Sequence, residues 1–226
     1  MILILVRHGD PDYQKDCLTE LGHEQAKIAA KRLMEEGIEE IYSSPLGRAR
    51  QTAQAFADLS GLGPVRILDF MKEIRFGKED ALYQSGNPWL MACKLVSEGK
   101  DLQSSDWRNY PEFIDNTAVT DVDNVMRESD KWLAELGYER EGLYYRCTNK
   151  DDREKTIVLF SHGGSSTALL SRVFNIPFPH MCQILGHMRH TSITVLRFDN
   201  MPGSLSMPIA EVMADARHIN GVVFVK

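Results

Sequence analysis

Two short apolar segments, each followed at once by a histidine, stand out in the hydrophobic pattern of the chain. Residues 2–6 are all aliphatic and lead into Arg7-His8-Gly9, and the apolar run 156–160 leads into Ser161-His162-Gly163. Uninterrupted apolar runs of this length are typical of strands buried on both faces of a sheet. Because open α/β sheets bind ligands at the carboxyl ends of their strands, the pattern predicts that both histidines serve one site.

The rest of the pattern alternates between helical and extended spacing. It predicts helices over about residues 19–36, with Thr19 as N-cap, and over about 46–59, 122–136 and 165–174. It predicts further strands at residues 38–43, 65–68, 191–198 and 222–225. Strands that alternate with helices indicate a three-layer α/β/α fold with a mostly parallel central sheet.

The pattern changes between about residues 78 and 153, where Gly, Pro and Ser interrupt the periodicity. We therefore predict one domain over residues 1–226 that carries a largely helical insertion at about 78–153, over the site and without strands of its own. Its aromatic side chains are expected to form a small core of the insertion rather than a substrate platform: Tyr83, Trp89, Trp107, Tyr110 and Phe113.

Composition limits the partners and the compartment. The net charge of −6 argues against a nucleic-acid or membrane-surface partner. No apolar run approaches the roughly 18 residues of a membrane span, so a cytoplasmic protein is expected. The four cysteines contain no C-x-x-C pair, which indicates reduced thiols rather than a zinc site or disulfides. The pattern specifies no oligomeric state.

Five ionisable side chains are predicted to meet at the strand ends: Arg7, His8, Arg48, His162 and, as the nearest carboxylate, Glu73. Arg48 falls in the first turn of a predicted helix, where the helix dipole disfavours a cation unless a bound anion is shared by both. Such a cluster suits a phosphate ester. A neutral histidine can attack phosphorus while the cations neutralise its oxygens, and a carboxylic acid can protonate the leaving group and then activate water. This chemistry needs no metal ion and no cofactor.

Several motifs in this order resemble the histidine phosphatase superfamily, in its phosphoglycerate-mutase-like branch. They are Arg7-His8-Gly9, Leu18-Thr19-Glu20-Leu21-Gly22, Ser43-Ser44-Pro45-Leu46-Gly47-Arg48-Ala49-Arg50-Gln51-Thr52, Glu73 after a strand, and Ser161-His162-Gly163. They span residues 2 to about 198 and leave the insertion unmatched. The resemblance implies that His8 is the phosphorylated nucleophile, that Arg7, Arg48 and His162 form the phosphate pocket, and that Glu73 is the proton donor.

The chain departs from this family at positions that contact substrate. Many relatives have Glu or Gln two residues after the nucleophile and Asn four residues further on, where this chain has Asp10 and Gln14. We take Asp10, Gln14 and Gly163 as candidates for binding a small phosphorylated substrate. The mutases usually have Arg-His-Tyr-Gly after the acidic residue, whereas residues 74–77 read Ile-Arg-Phe-Gly, which favours a phosphatase over a mutase. For His190, packing is favoured over a place in the site.

Three other classes of protein are alternatives to a histidine phosphatase. A serine hydrolase with Ser161 as nucleophile would need Gly at position 159, which is Leu, and would leave the arginines unused. A metal-dependent hydrolase with His8, His162 and Glu73 as ligands is disfavoured because nearby arginines repel a cation. A phospholigand-binding module of the same fold without turnover is disfavoured because every expected catalytic position is filled.

Overall fold

The structure, a computed structural model, describes residues 1–78 and 86–219. Six α-helices are described, in chain order: α1 Glu20–Leu33, α2 Gly47–Ser60, α3 Pro88–Ser97, α4 Thr117–Glu135, α5 Gly163–Phe174 and α6 Phe178–Leu185. The described strands are β1 Ile2–Arg7, β2 Pro11–Asp12, β3 Cys17–Leu18, β4 Glu40–Ser43, β5 Arg66–Ile67, β6 Tyr138–Glu141, β7 Tyr144–Cys147, β8 Thr156–Ser161, β9 Ile193–Arg197, β10 Leu205–Ser206 and β11 Ile209–Asp215.

The central sheet has six strands in the order β11-β9-β1-β8-β4-β5. The pairs β1–β8, β8–β4 and β4–β5 are parallel, and the pairs β1–β9 and β9–β11 are antiparallel. β1 is therefore an inner strand, and its neighbour β8 runs in the same direction. Because parallel neighbours end at the same edge, the residues that follow β1, β8 and β4 come together there.

Alternate residues of the inner strands pack into two separate hydrophobic clusters. Ile4 and Val6 of β1 face the cluster that contains buried residues of α1 and α2, whereas Leu3 and Leu5 face the cluster that contains residues of α3, α4, α5 and α6. This alternation is the two-residue period of a strand covered on both faces. It confirms the predicted three-layer α/β/α fold with a mostly parallel sheet.

Helix α1 shows how local sequence sets an element's limits. Thr19 is its N-cap, and the Thr19 side-chain oxygen accepts a hydrogen bond from the Gly22 backbone N–H. The helix ends at Leu33, earlier than the predicted residue 36, and Gly37 adopts a left-handed φ of 62° just beyond it. The other predicted helices begin within five residues of their observed starts, and α4 shows the largest difference because its first turn is capped by Asn116 rather than by an apolar repeat.

The region from about 78 to 153 differs from the prediction in one respect. It carries α3 and α4, but it also carries β6 and β7, which form a three-stranded antiparallel sheet with β10. The expectation that this region has no strands was therefore wrong. β6 reads Tyr-Glu-Arg-Glu and β7 reads Tyr-Tyr-Arg-Cys, and four residues without alternating apolar and polar positions do not show the pattern used to predict strands. That the region is an insertion in a single domain stays a prediction.

Four of the five aromatic residues singled out in this region lie in the described part of the chain, and they pack in or against the main core. Trp107 and Phe113 are buried in the same cluster as Leu3 and Leu5, and the Trp107 ring lies 5.9 Å from that of Phe178 in α6. A separate small core was thus the wrong expectation. Trp89 is buried as well and Tyr110 is partly buried, while Tyr83 lies outside the described residues. The predicted strand at 222–225 also lies outside them, and the edge strand that the structure does describe is β11.

Candidate functional site

The ends of β1 and β8 place the two strand-end histidines side by side. The backbone N–H of His8 donates to the Ser161 carbonyl at 2.9 Å, which extends the pairing of the two strands by one residue. The ring centroids of His8 and His162 are 5.1 Å apart, and both side chains are buried. Parallel pairing, rather than any local signal, brings together residues separated by more than 150 positions.

His8 is held as a neutral ring with one nitrogen available. Its Nδ1 lies 2.7 Å from the Gly9 carbonyl oxygen, which can only accept, so Nδ1 carries the proton and Nε2 carries the lone pair. Burial, opposed by the hydrogen bond to Gly9 and assisted by Arg7 and Arg48, lowers the pKa of His8 to about 2. An unprotonated imidazole nitrogen of this kind is a nucleophile at neutral pH.

Arg48 faces the available nitrogen of His8. Its Nε lies 3.3 Å from His8 Nε2, and its side chain is buried in the first turn of α2. The anion expected at this helix end is supplied by the chain itself. Asp16 accepts from the Gly47 backbone N–H at 2.6 Å and from Arg48 Nη1 at 2.5 Å. Asp16 therefore fixes the guanidinium with its Nε edge toward His8.

We predict that Asp16→Asn lowers kcat about 10- to 100-fold, because a displaced Arg48 no longer meets the reacting group in the right place. KM should not rise, since the substitution removes a negative charge near an anion site. Steady-state kinetics on a phosphate ester measure both constants. The control is Lys15→Ala, because Lys15 is an exposed neighbour in the same loop and pairs with Asp12 rather than with Arg48 or Asp16. Unchanged kcat in Asp16→Asn would show that Arg48 is held by other contacts.

Arg7 and His162 each present a buried polar atom without a partner. Among the described residues, no hydrogen-bond partner is found for Arg7 Nε or for His162 Nδ1. Another nitrogen of each side chain has a hydrogen-bond partner. Arg7 Nη1 donates to the Met188 carbonyl, and His162 Nε2 lies 2.7 Å from the Ser44 hydroxyl. Burial, followed by His8 and the two arginines, holds the pKa of His162 well below its usual value. Unpaired buried polar atoms are costly, and Arg7 lies near enough to His162 to help lower its pKa, so both atoms are candidates for contact with a ligand.

Glu73 reaches the site at the amino end of α5. Its Oε1 accepts from the backbone N–H groups of Gly164 at 2.9 Å and Ser165 at 3.1 Å. Burial raises the pKa of Glu73, and the nearby Arg7 and the backbone hydrogen bonds oppose that rise. A carboxyl group with a raised pKa is more often protonated near neutral pH, as a proton donor requires.

Gly164 makes this position of Glu73 possible. A Cβ at residue 164 would lie 2.6 Å from Glu73 Oε1 and closer still to Ile74 Cγ1, whereas a Cβ at the adjacent Gly163 would meet nothing nearer than 3.9 Å. We predict that Gly164→Ala lowers the free energy of unfolding by about 1–3 kcal/mol relative to Gly163→Ala. The two variants share a similar gain in helix propensity, so chemical denaturation of the pair isolates the clash. Equal stability would mean that the Glu73 segment moves freely.

The substrate-binding candidates occupy different surroundings. Asp10 accepts from the Thr19 hydroxyl at 2.6 Å, and its other oxygen lies 3.5 Å from His190 Nδ1. Gly163 begins α5 between Arg7 and Glu73. Gln14 is exposed in the turn after β2, where its backbone N–H donates to Asp12. Asp10 and Gly163 thus lie next to the histidines. The backbone of Gln14, in contrast, is hydrogen-bonded within its own loop.

His190 lies in the site, so the expectation that it packs elsewhere was wrong. Its ring centroid is 5.6 Å from that of His8, and its side chain is about one quarter exposed. The segment before β9 places it there: the Thr191 N–H donates to the His8 carbonyl at 3.2 Å. Asp16 and Ser44 were also missed, because each acts on a partner that is remote in sequence. For His190 a signal existed, since it directly precedes a strand predicted for the same sheet.

The described part of the chain contains neither a metal-binding cluster nor a membrane-spanning helix. Within residues 1–78 and 86–219, no group of three or more His, Cys, Asp or Glu side chains is arranged to hold a metal ion. In the same residues, no helix is long and apolar enough to cross a membrane. All four cysteines are free thiols.

Both the sequence and the three-layer α/β fold are similar to those of known proteins. The family model of the histidine phosphatase superfamily (branch 1) matches residues 3–86. A Serratia proteamaculans protein named "Probable phosphoglycerate mutase GpmB" is 26% identical over 226 residues, which cover 96% of this chain and 94% of that protein. A Yersinia enterocolitica protein of the same name is 27% identical over 227 residues, with the same coverage.

Solved structures share the fold over nearly the whole length. A phosphoserine phosphatase from Entamoeba histolytica, in complex with 3-phosphoglyceric acid, has a TM-score of 0.63 at 22% identity and covers 96% of this chain and 98% of its own. A mycobacterial glucosyl-3-phosphoglycerate phosphatase, in complex with inorganic phosphate, has a TM-score of 0.63 at 23% identity and covers 96% and 99%. The chain is thus similar to the histidine phosphatase superfamily over residues 3–86, and to these relatives and structures over nearly its whole length. The relatives are named as probable mutases and the similar structures as phosphatases. These names support the conclusion that the chain is an enzyme.

Proposed function

We propose that this protein is a phosphatase that hydrolyses a phosphate monoester through a phosphohistidine on His8. The observation that carries the proposal is the state of His8: a neutral ring, protonated at Nδ1, whose unprotonated Nε2 accepts a hydrogen bond from Arg48 Nε at 3.3 Å. A phosphoryl group placed there would meet a nucleophile and a cation at once. The expected substrate is a small phosphorylated metabolite of the cytoplasm.

In the first step the Nε2 lone pair of His8 forms a bond to phosphorus while the bond from phosphorus to the ester oxygen breaks. Glu73 gives its proton to that oxygen, so an alcohol leaves. Arg7, Arg48 and His162 bind the oxygens of the transferring group, and the unpaired Arg7 Nε and His162 Nδ1 are the atoms free to do so.

In the second step the Glu73 carboxylate takes a proton from water as the water oxygen attacks phosphorus. The bond from phosphorus to His8 Nε2 breaks, and inorganic phosphate leaves with the ring restored. The side chains supply the nucleophile, the acid and the cations, so the proposed chemistry calls for no metal ion and no cofactor.

A screen of phosphorylated metabolites, scored by released phosphate, tests the proposal. The His8→Ala protein serves as the blank, because any phosphate it releases comes from a contaminant. Phosphoserine, 3-phosphoglycerate and glucosyl-3-phosphoglycerate belong in the panel, since the structurally similar phosphatases are named for these compounds or bind one of them. Tight binding of one compound without release of phosphate would instead favour a binding module of the same fold.

A mutase is the second candidate, and the name of the curated relatives favours it. A mutase must keep water from the phosphohistidine until the group returns to the product, whereas a phosphatase admits water. Phosphorus NMR of 3-phosphoglycerate with a trace of bisphosphoglycerate separates the two. Appearance of 2-phosphoglycerate without inorganic phosphate would establish the mutase, and the reverse would establish the phosphatase.

A further inference from the structure

The fixed charges of the site do not favour a dianion by themselves. Two guanidinium groups, those of Arg7 and Arg48, supply positive charge to the site. Two carboxylates oppose them: Asp16 pairs with Arg48 at 2.5 Å, and Asp10 lies 3.5 Å from His190. The nearest imidazoles, His8 and His162, are neutral because burial lowers the pKa of each. A phosphate dianion entering this site therefore lacks the excess of positive charge that anion binding requires. A proton taken from solvent would supply the missing charge.

Three imidazoles could take that proton, and their partners differ. His8 Nδ1 faces the Gly9 carbonyl, and His8 must stay unprotonated at Nε2 to act as nucleophile. His162 Nε2 contacts the Ser44 hydroxyl. Within the described residues, only His190 of these three is found in an ion pair with a carboxylate, since its Nδ1 lies 3.5 Å from Asp10 Oδ1. An imidazolium next to a carboxylate is stabilised, so the proton is best held there.

The surroundings hold this pair in place. Asp10 is fixed on two sides, because its carboxylate accepts from the Thr19 hydroxyl and its backbone N–H donates to Gln25 Oε1 at 2.8 Å. The backbone of Thr191, at a left-handed φ of 55°, binds the His8 carbonyl and sets the distance between the two histidines. His190 remains partly exposed, so a proton can reach it from solvent.

We propose that His190, partnered by Asp10, takes up one proton when a phosphoryl anion enters the site and releases it when phosphate leaves. This inference rests on the proposed function, since it assigns a charge-balancing group to the same site. Asp10 is then a positioning residue, which acts through His190. The pair gives the site its affinity for a dianion without placing a permanent third cation beside the nucleophile.

The expected pH dependence follows from the groups that face His190. In the free protein, burial and then Arg7 lower the pKa of His190 to about 4, while Asp10 acts in the opposite direction. A nearby anion raises such a pKa by roughly 1–3 units. The contribution to anion affinity is then fully present below the free pKa and is lost as the pH rises through the bound pKa. For a rise of two units, affinity falls about tenfold between pH 5 and pH 7.5.

Calorimetry of sulfate binding tests the inference, because sulfate stays a dianion over this range. Titrations at pH 5.5 in buffers of different ionisation enthalpy give the number of protons taken up. In the wild-type protein, His190 should take up at most about one proton for each sulfate bound. His190→Asn should lose most of that uptake. Glu73 and His162 also face the site, so only the part lost in His190→Asn is assigned to His190.

Two further variants separate a proton carrier from a structural residue. Asp10→Asn should lower proton uptake without weakening sulfate binding, because it removes the partner of the imidazolium together with a negative charge. His23→Asn should match wild type, since His23 is an exposed histidine on α1. Equal uptake in wild type and His190→Asn overturns the inference. Hydrolysis that depends on His8 would still stand in that case, so the proposed function is judged separately.

Discussion

Replacement of His8 by alanine abolishes both hydrolysis of phosphate esters and acid-labile phosphate labelling of the chain. The reason is that Nε2 of His8 forms the bond to phosphorus in the proposed mechanism. The two neighbouring imidazoles have other partners: His162 Nε2 contacts the Ser44 hydroxyl, and His190 Nδ1 lies 3.5 Å from Asp10. Loss of a nucleophile typically lowers kcat on the order of 10⁴-fold or more. Released phosphate and retained label after rapid quenching measure the two effects.

His23→Ala is the matched control for that experiment. His23 is an exposed histidine on α1, and its loss should change neither activity nor labelling. Sulfate binding to His8→Ala, measured by calorimetry, shows whether the variant keeps the anion pocket. If label persists in His8→Ala, the nucleophile has been misassigned and the site must be reinterpreted around another side chain.

Glu73→Gln should slow alkyl phosphates about 10²- to 10⁴-fold and aryl phosphates far less. A poor leaving group needs a proton as its bond to phosphorus breaks, whereas a phenolate of low pKa leaves without one. Glutamine keeps an oxygen that can accept from Gly164 and Ser165, so the amino end of α5 should stay intact. The ratio of kcat/KM for the two substrate types is the quantity to compare between wild type and variant.

The pH dependence of activity is a second measurement of the role of Glu73 as proton donor. Because burial raises the pKa of Glu73, the free enzyme keeps its proton donor to higher pH than an exposed Glu would. Activity on an alkyl phosphate should fall as the pH rises through that pKa, and Glu73→Gln should lack this limb of the profile. An equal loss on both substrate types, with the limb retained, would remove Glu73 from the role of acid.

Elements that rest on local rules could be predicted from the sequence. The runs before His8 and His162 are apolar at every position because β1 and β8 are covered on both faces, and this pattern has few alternative interpretations. Helix α1 was placed by its cap, Thr19, and by its apolar spacing. The nearness of His8 and His162 followed from a general property of parallel sheets, namely that their strands end at one edge.

Other features depend on contacts that are remote in the sequence. β6 and β7 carry charged residues and gain stability from each other and from β10, so neither segment shows strand periodicity alone. β11 is an edge strand with exposed residues and two irregularities in its register, which conceal the period of two. The contact of Asp16 with Arg48 needs the loop before α1 to fold back on α2, and no spacing rule links positions 16 and 48.

The position of β1 between two other strands affects how this protein unfolds and loses activity. Hydrogen bonds tie β1 to β8 on one side and β9 on the other, from Ile2 to Val6. Amide hydrogens of such a strand exchange with deuterium only when the sheet itself opens. Heat or denaturant should therefore inactivate the protein and unfold its sheet in a single transition, with no partly melted species in which His8 alone has been displaced.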